Sequence, residues 1–550
     1  MTDPQTSAPV AVATEATTPQ PTTTEYDGQT YRLITEGQAT ILFPDTNEVF
    51  YNPVQQFNRD MSIAAIRTWS EIYFEEQKAR AERKTRLRAE RQAAATKPDN
   101  PAASAQLKAE KDGENQFTIL EALSATGLRS VRYALEIPHV KRIVANDLEP
   151  DAVKSIRRNL VYNGLLTRAD ADADVDTASG IVRPNLGDAC AVMYQSRSNP
   201  LKQFHVVDLD PYGSAAQFID GAVQAVIDGG LLCVTCTDLA VLAGSNYPEV
   251  CFAKYGGTPV KSGYCHEMAL RLLLHALQTS AARYRRYIVP MISCSIDFYI
   301  RVFVRVYTGP AQVKKTLCHT GVVYNCPACF TFHTDTFGQA RTKGTNTTFH
   351  VSSGPAVDRN CEFCGHRYQL GGPAWLSPIH DPEFAQRMYQ LIEKNKTAFG
   401  THARMMGMVK VISEELHTSP FFYSLANLSG AIHCTTPPLA DLCSALLHAG
   451  FKVSGSHTQP GSIKTNAPAE VMWDIMRCWA KKHPVALSKY GEESPAVRIL
   501  SKKPTLEANF TRHPEAKAES RRINLVRYQE NPEKNWGPKA RHRKAHQVEK

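Results

Sequence analysis

Two parts of the chain carry residue types suited to chemistry. In Asp208-Leu209-Asp210-Pro211-Tyr212-Gly213-Ser214, a carboxylate, a stiffening proline, an aromatic ring and a flexible glycine follow an apolar run directly. Methylating an exocyclic amine requires an acceptor for the N–H and a flat surface for the base. Asp210 supplies the acceptor, with the Pro211 carbonyl beside it, and Tyr212 supplies the surface. Asp208 is assigned to anchoring the loop or to supporting the site from behind. The competing reading is a plain strand-ending turn, because Asp-Pro and Tyr-Gly are common turn formers. The second part is a pair of CxxC knuckles, Cys326-Pro327-Ala328-Cys329 and Cys361-Glu362-Phe363-Cys364, separated by 31 residues. Four thiolates in paired knuckles suit tetrahedral zinc, and a closed four-sulfur site has a structural rather than a catalytic role. Redox chemistry would compete for one isolated pair; two pairs favour metal.

Three further candidates mark a cofactor end. Ser124-Ala125-Thr126-Gly127 is a small-residue turn whose backbone amides can approach a ligand, without the full dinucleotide fingerprint. Asp147 ends the following apolar run, where a carboxylate can accept both hydroxyls of a ribose; its structural alternative is a helix cap. Asp188 and Ala189 follow Gly187, at a position where an adenine can lie. Together they favour S-adenosylmethionine over a phosphate-rich dinucleotide. Arg59, within Asn52-Pro53-Val54-Gln55-Gln56-Phe57-Asn58-Arg59-Asp60, can pair with a cofactor carboxylate or, structurally, with Asp60 or another neighbour.

The elements that must position these residues alternate. Strands are expected at 116–123, 142–145, 204–210 and 230–235, with helices from about 130, at 150–159 and around 215–227, and closing strands at 287–292 and 297–307. This alternation is the signature of a parallel α/β sheet with helices on both faces, a class I (Rossmann-like) architecture. Open sheets of this kind bind ligands beyond the carboxyl ends of their strands, which is where the candidates fall. The expected organisation is a disordered segment 1–25, a methyltransferase domain 26–309 and a charged, partly flexible insertion around 75–115. A second α+β domain at 310–500 carries the cysteine knuckles, and a basic extension follows at 501–550. A helix from Ser62 to about Arg91 should project its charged second half into solvent, and helices are expected at 382–396, 403–417 and 437–449.

Composition narrows the class. Hydrophobic residues make up 43% and charged residues 21%, which is globular. The net charge of +9 is unevenly spread: residues 501–550 hold thirteen Lys/Arg against six Asp/Glu, a footprint for nucleic acid or simply a solvated tail. Fourteen cysteines, several inside apolar runs, read as buried thiols of a reducing compartment. No run of about 18 apolar residues suggests a membrane span. The N-terminus has neither a signal-peptide core nor the arginines of a mitochondrial presequence.

The combination of Phe50 to Ser62, Glu121 to Tyr133, Ala145 to Asp147, Asp208 to Ser214, Gly230 to Ala243 and Gly450 to Pro468 resembles the eukaryotic tRNA (guanine-26-N2)-dimethyltransferases over roughly residues 27–500, closely enough to suggest a fungal member. The resemblance implies two successive methyl transfers from S-adenosylmethionine to N2 of guanine 26 in tRNA. It casts Arg59, Arg129 and Asp147 as cofactor contacts, Asp188 as lying near the adenine, Asp210 as the catalytic carboxylate and Tyr212 as the ring beside the base. It also implies that the C-terminal domain holds tRNA. Many relatives have proline after the loop serine, whereas Ser214-Ala215 here lacks that restraint and is expected to loosen the loop. Nuclear residence is expected first and mitochondrial second, with Lys539 to Lys544 as an import or phosphate-binding signal; a monomer without an obligate protein partner is expected. The rivals are a methyltransferase of another RNA base amine, a catalytically inactive zinc-bearing RNA-binding protein and, more distantly, a nicotinamide oxidoreductase.

Overall fold

A computed structural model of the chain describes residues 22–44, 51–94, 115–168, 180–523 and 525–526. Most of the expected disordered N-terminus, the later part of the expected insertion and the distal basic tail lie outside the described residues. The chain opens with an antiparallel sheet of β1 (Thr23–Tyr26), β2 (Gln29–Glu36) and β3 (Ala39–Pro44). The boundary expected at residue 25 therefore falls inside a paired strand. In α1 (Gln56–Ala94), the first half buries Ile63, Ile66 and Trp69, and the Trp69 indole donates to the Gly229 carbonyl at 3.1 Å. From Lys78 to Glu90 every residue is exposed, as the alternating charges predict.

The alternation read from the sequence then unfolds, with β6 and α4 added to it: β4 (Phe117–Glu121), α2 (Leu128–Glu136), β5 (Val140–Asp147), α3 (Pro150–Tyr162), β6 (Val182–Leu186), α4 (Ala189–Arg197), β7 (Phe204–Leu209), α5 (Ala216–Ala225) and β8 (Val226–Cys236). After α6 (Leu239–Leu242), α7 (Pro248–Tyr255) and α8 (Cys265–Ala282), the hairpin β9 (Arg286–Ile296) and β10 (Tyr299–Thr308) completes a seven-stranded sheet in the order β6-β5-β4-β7-β8-β10-β9. β4 through β8 run parallel, so their carboxyl ends open on one edge. β10 runs antiparallel to β8 with Ile300 opposite Cys236, which brings the start of β10 to that same edge.

The second half contains α9 (Pro310–Val313), α10 (Thr316–His319), a sheet of β11 (Thr320–Asn325), β12 (Phe332–Thr336) and β15 (Gln369–Trp375), and between them the hairpin β13 (Gly338–Lys343) and β14 (Asn346–Val351). Then follow α11 (Pro382–Lys394), α12 (His402–Glu414), β16 (Tyr423–Ser424), α13 (Leu425–Ile432), α14 (Leu439–His448), β17 (Val453–Ser454), β18 (Ser462–Thr465), α15 (Ala469–Lys482), α16 (Pro495–Leu500) and α17 (Glu519–Arg522). The cores do not divide at 309/310 as expected. Phe384, Met388, Met405 and Ile412 of α11 and α12 join the core that α1 and α2 form on one sheet face. Val323, Ala374 and Trp375 join the opposite core, with α5 and α8. A separate core surrounds the four cysteines, Leu442 and Trp473. The basic extension also starts later than residue 500, because Asp474 accepts from Thr505 and Leu506, and Ala516 is buried. Amphipathic periodicity identifies a helix but not the surface that receives it.

Candidate active site and metal centre

The strand ends of the sheet converge on one cavity of about 1470 Å³, lined by Ser124, Thr126, Asp147, Asp188, Asp210, Pro211 and Tyr212 among others. Asn146, a residue the sequence reading missed, ties three of the turns together. Its Nδ2 donates to the Ala122 and Gly187 carbonyls at 3.0 Å each, and its Oδ1 accepts from Asn185 at 2.5 Å. Ala125 and Gly127 adopt left-handed backbone, with φ of 47° and 75°. A Cβ at Gly127 would approach Ile156 to 3.2 Å, so both the turn and the helix packing favour glycine there.

At the cofactor end, Asp147 is half-buried and its two oxygens accept separately, Oδ2 from the Ala125 amide at 2.8 Å and Oδ1 from the Glu149 amide at 3.0 Å. The helix-cap reading does not hold, since Glu149 is the N-cap of α3 and no side chain caps it; the Asp147 carboxylate has further lone pairs for ligand hydroxyls. Asp188 is the N-cap of α4, accepting from the Ala191 amide at 2.8 Å, while remaining exposed on the cavity with Ala189 buried beside it. Leu148, 63% exposed on the same cavity, offers an apolar surface that the sequence reading did not identify. The cradle fits a nucleoside: backbone amides, a fixed carboxylate and an apolar wall meet without a phosphate-binding glycine loop.

At the carboxyl end of β7, Asp208 and Asp210 both reach the buried Arg129. The Arg129 guanidinium donates to Asp210 Oδ2, which Asn58 also approaches at 3.4 Å; among the described residues Oδ1 has no protein donor. Arg129, expected at the cofactor, lines the cavity and pairs there with Asp210. Asp208 is tied to β10 and α2 rather than to the loop: it accepts from Arg301 at 2.9 and 3.0 Å and from the Tyr133 hydroxyl. Burial alone would raise the Asp208 pKa, but Arg301 and Arg129 outweigh it and hold the carboxyl below its ordinary range. Glu121, also missed, lies 3.7 Å from Arg129, and burial raises its pKa to about 8. With Glu121 protonated, the two guanidiniums of Arg129 and Arg301 balance Asp208 and Asp210. Arg59 lines the cavity, yet its guanidinium engages Glu36 at 2.6 and 2.5 Å and the Asn52 carbonyl at 3.2 Å. The alternative partner considered, Asp60, pairs with Arg132 at 2.7 Å instead.

A family profile for N2,N2-dimethylguanosine tRNA methyltransferase matches residues 29–477. The mouse tRNA (guanine(26)-N(2))-dimethyltransferase is 46% identical over 93% of this chain and 77% of its own length. The Schizosaccharomyces pombe enzyme is 45% identical over 92% of both chains. The chain belongs to the N2,N2-dimethylguanosine tRNA methyltransferase family. Family members at comparable identity come from mammals, an insect, a nematode, plants and yeasts, so similarity singles out no fungal source. Trm1 from Pyrococcus horikoshii, solved in complex with S-adenosyl-L-methionine, is 27% identical and superposes with a TM-score of 0.61 over 80% of this chain and 98% of its own.

Within this family fold, the loop after β7 is held despite Ala215. The Gly213 amide donates to Thr237 Oγ1 at 2.8 Å, the Thr237 amide returns to the Gly213 carbonyl at 2.8 Å, and Ser214 Oγ meets the Tyr255 hydroxyl at 2.7 Å. Tertiary bonds thus replace the restraint that a proline would provide. Cys326, Cys329, Cys361 and Cys364 are all buried, with ligand atoms within 4.8 Å of one another. Sγ separations of 3.3 Å (Cys326–Cys364) and 3.6 Å (Cys329–Cys361) exceed a disulfide and approach the edge of about 3.8 Å of a tetrahedron built on 2.3 Å metal–sulfur bonds. Gly365, at φ 78°, turns the second knuckle, and the Trp473 indole donates to Thr331 Oγ1 at 2.8 Å beside the first.

A second buried group, His380, Glu415 and His457, has metal-like proximity but a different occupation. His380 Nδ1 accepts from the Ser293 amide at 3.2 Å and His457 Nε2 from the Ser295 amide at 3.1 Å. Each ring's lone pair is therefore committed to the outer edge of β9, and the trio caps that edge strand.

Proposed function

We propose that this protein is the tRNA (guanine-26-N2)-dimethyltransferase of its source, moving two methyl groups in succession from S-adenosylmethionine to the exocyclic N2 of guanine 26. The observation that carries the reading is Asp210, fixed through one carboxylate oxygen by Arg129 and Asn58 while the other has no protein donor among the described residues, on a cavity shared with Asp147 and Asp188. Ser124, Thr126, Gly127, Asp147, Asp188 and Ala189 would hold the cofactor, with Arg59 toward its carboxylate. The cofactor's sulfonium supplies an already activated methyl group, so the protein's work is orientation, desolvation and proton acceptance. Tyr212, 44% exposed at the cavity, holds the base flat. Asp210 accepts one N2–H, which aims the nitrogen lone pair away from the carboxylate, and then takes the proton released as the N–C bond forms. Guanine N2 carries two hydrogens, so the same acceptor serves twice and then has nothing left to accept.

The four cysteines are assigned a structural zinc ion that shapes the C-terminal domain for tRNA; one equivalent of zinc per chain by elemental analysis is the expected result. Nuclear residence, through the Lys539–Lys544 segment, belongs to the same proposal, with action as a monomer. The decisive experiment incubates the purified protein with unmodified tRNA and S-adenosylmethionine and maps modified nucleosides by mass spectrometry. N2,N2-dimethylguanosine at position 26 is expected. A different modified base would remove the assigned target, and no product despite cofactor and tRNA binding would favour a binding protein.

A further inference from the structure

The tip of the β9–β10 hairpin, Asp297-Phe298-Tyr299, lines the same cavity as Asp210. The tip is fixed in place. Asp297 turns the chain at φ 42°, and Arg404 of α12 donates to both of its carboxylate oxygens at 3.0 and 2.9 Å. Phe298 is 44% exposed, whereas Tyr299 is 2% exposed. The Tyr299 hydroxyl is buried without a hydrogen-bond partner among the described residues. An unpaired buried hydroxyl costs stability, and one on the wall of a substrate cavity gains its partner when the substrate enters. Burial raises the pKa of this phenol, so it remains a donor across the physiological range.

Topology gives the spacing. The start of β10 stands two strands from the end of β7 in the order β7-β8-β10, roughly 9–10 Å between backbones. Side chains from the two strand ends can thus meet opposite ends of one flat base edge. With N2 held by Asp210, the far end of a guanine's pairing edge presents the O6 carbonyl, an acceptor matched to a phenol; adenine presents an amine there.

We propose that Tyr299 is a specificity-determining residue that donates a hydrogen bond to guanine O6, with the Asp297–Arg404 pair holding the hairpin tip in register. This rests on the reaction assigned above. The test compares tRNA carrying guanine at position 26 with the same tRNA carrying 2-aminopurine, which keeps the N2 amine but lacks O6 and N1–H. Wild-type enzyme must first methylate the guanine tRNA; failure there removes the reaction itself rather than the role of Tyr299. In Tyr299→Phe, kcat/KM on guanine tRNA is expected to fall about tenfold, with the 2-aminopurine rate and cofactor affinity unchanged, so the preference for guanine collapses. A variant that keeps the wild-type preference would overturn the proposal. So would an equal loss on both bases or weakened cofactor binding, each marking a structural role.

Discussion

At the scale of single residues, the site is governed by how buried carboxylates share buried guanidiniums. Asp210 is oriented by Arg129, so Asp210→Ala removes the proton acceptor without touching the nucleoside cradle. Methyl transfer is expected to fall at least about 100-fold in single-turnover assays, while calorimetry finds cofactor affinity unchanged. Glu121 makes a prediction about pH. Unfolded, it titrates near 4.5; folded, burial raises it to about 8, because Arg129 is already shared with Asp208 and Asp210. Between those values the folded protein keeps a proton that the unfolded chain has released. The contribution of Glu121 is therefore full below pH 4.5 and is lost as pH rises through about 8. Glu121→Gln keeps the neutral shape, so its Tm should gain on wild type progressively from pH 5 to pH 8 in thermal denaturation.

Single elements matter mainly through their ends. β7 delivers Asp208 inside the sheet and Asp210 just beyond it, and the following loop is set by bonds to β8's end and α7 rather than by its own sequence. Thr237→Val removes the acceptor for the Gly213 amide, at a cost of about 1 kcal/mol in chemical denaturation, and should lower the transfer rate more than cofactor affinity. Much at this scale was legible in the chain. Apolar runs bounded by polar turn residues located β4, β5, β7 and β8, because strand burial is a local property of consecutive residues. The charged half of α1 was legible for the same reason. The hairpin tip was not: Asp297-Phe298-Tyr299 has no motif, and its meaning comes from lining the cavity that Asp210 also lines.

At the scale of the molecule, the second half completes the first. α11 and α12 close one core, and a buried polar cluster joins α8, α12's end and β18: Lys464 lies 3.1 Å from both Glu267 and Glu415, and Glu415 accepts from His457. All four groups are buried. Opposing charges hold Glu415 well below its ordinary pKa although burial works the other way. Arg271 still holds Glu267 at 2.8 Å, but removing Lys464 leaves the buried Glu415 carboxylate without its lysine, so Lys464→Met should cost about 3–5 kcal/mol, read from urea unfolding. It should also uncap the Ser293 and Ser295 amides at the sheet edge, seen as faster hydrogen exchange along β9.

The sequence by itself determined the alternating sheet, the strand ends that carry Asp147 and Asp210, and the two CxxC knuckles, because each is written in neighbours or in a short, regular spacing. Tertiary structure alone decided which cations meet which anions. Arg59 pairs with Glu36 across 23 positions and Arg129 with Asp210 across 81. It also decided that α11 and α12 belong to the first core and that two histidines cap an edge strand. Charge pairing and core membership have no period along a chain; they depend on which surfaces the fold brings within a few ångströms.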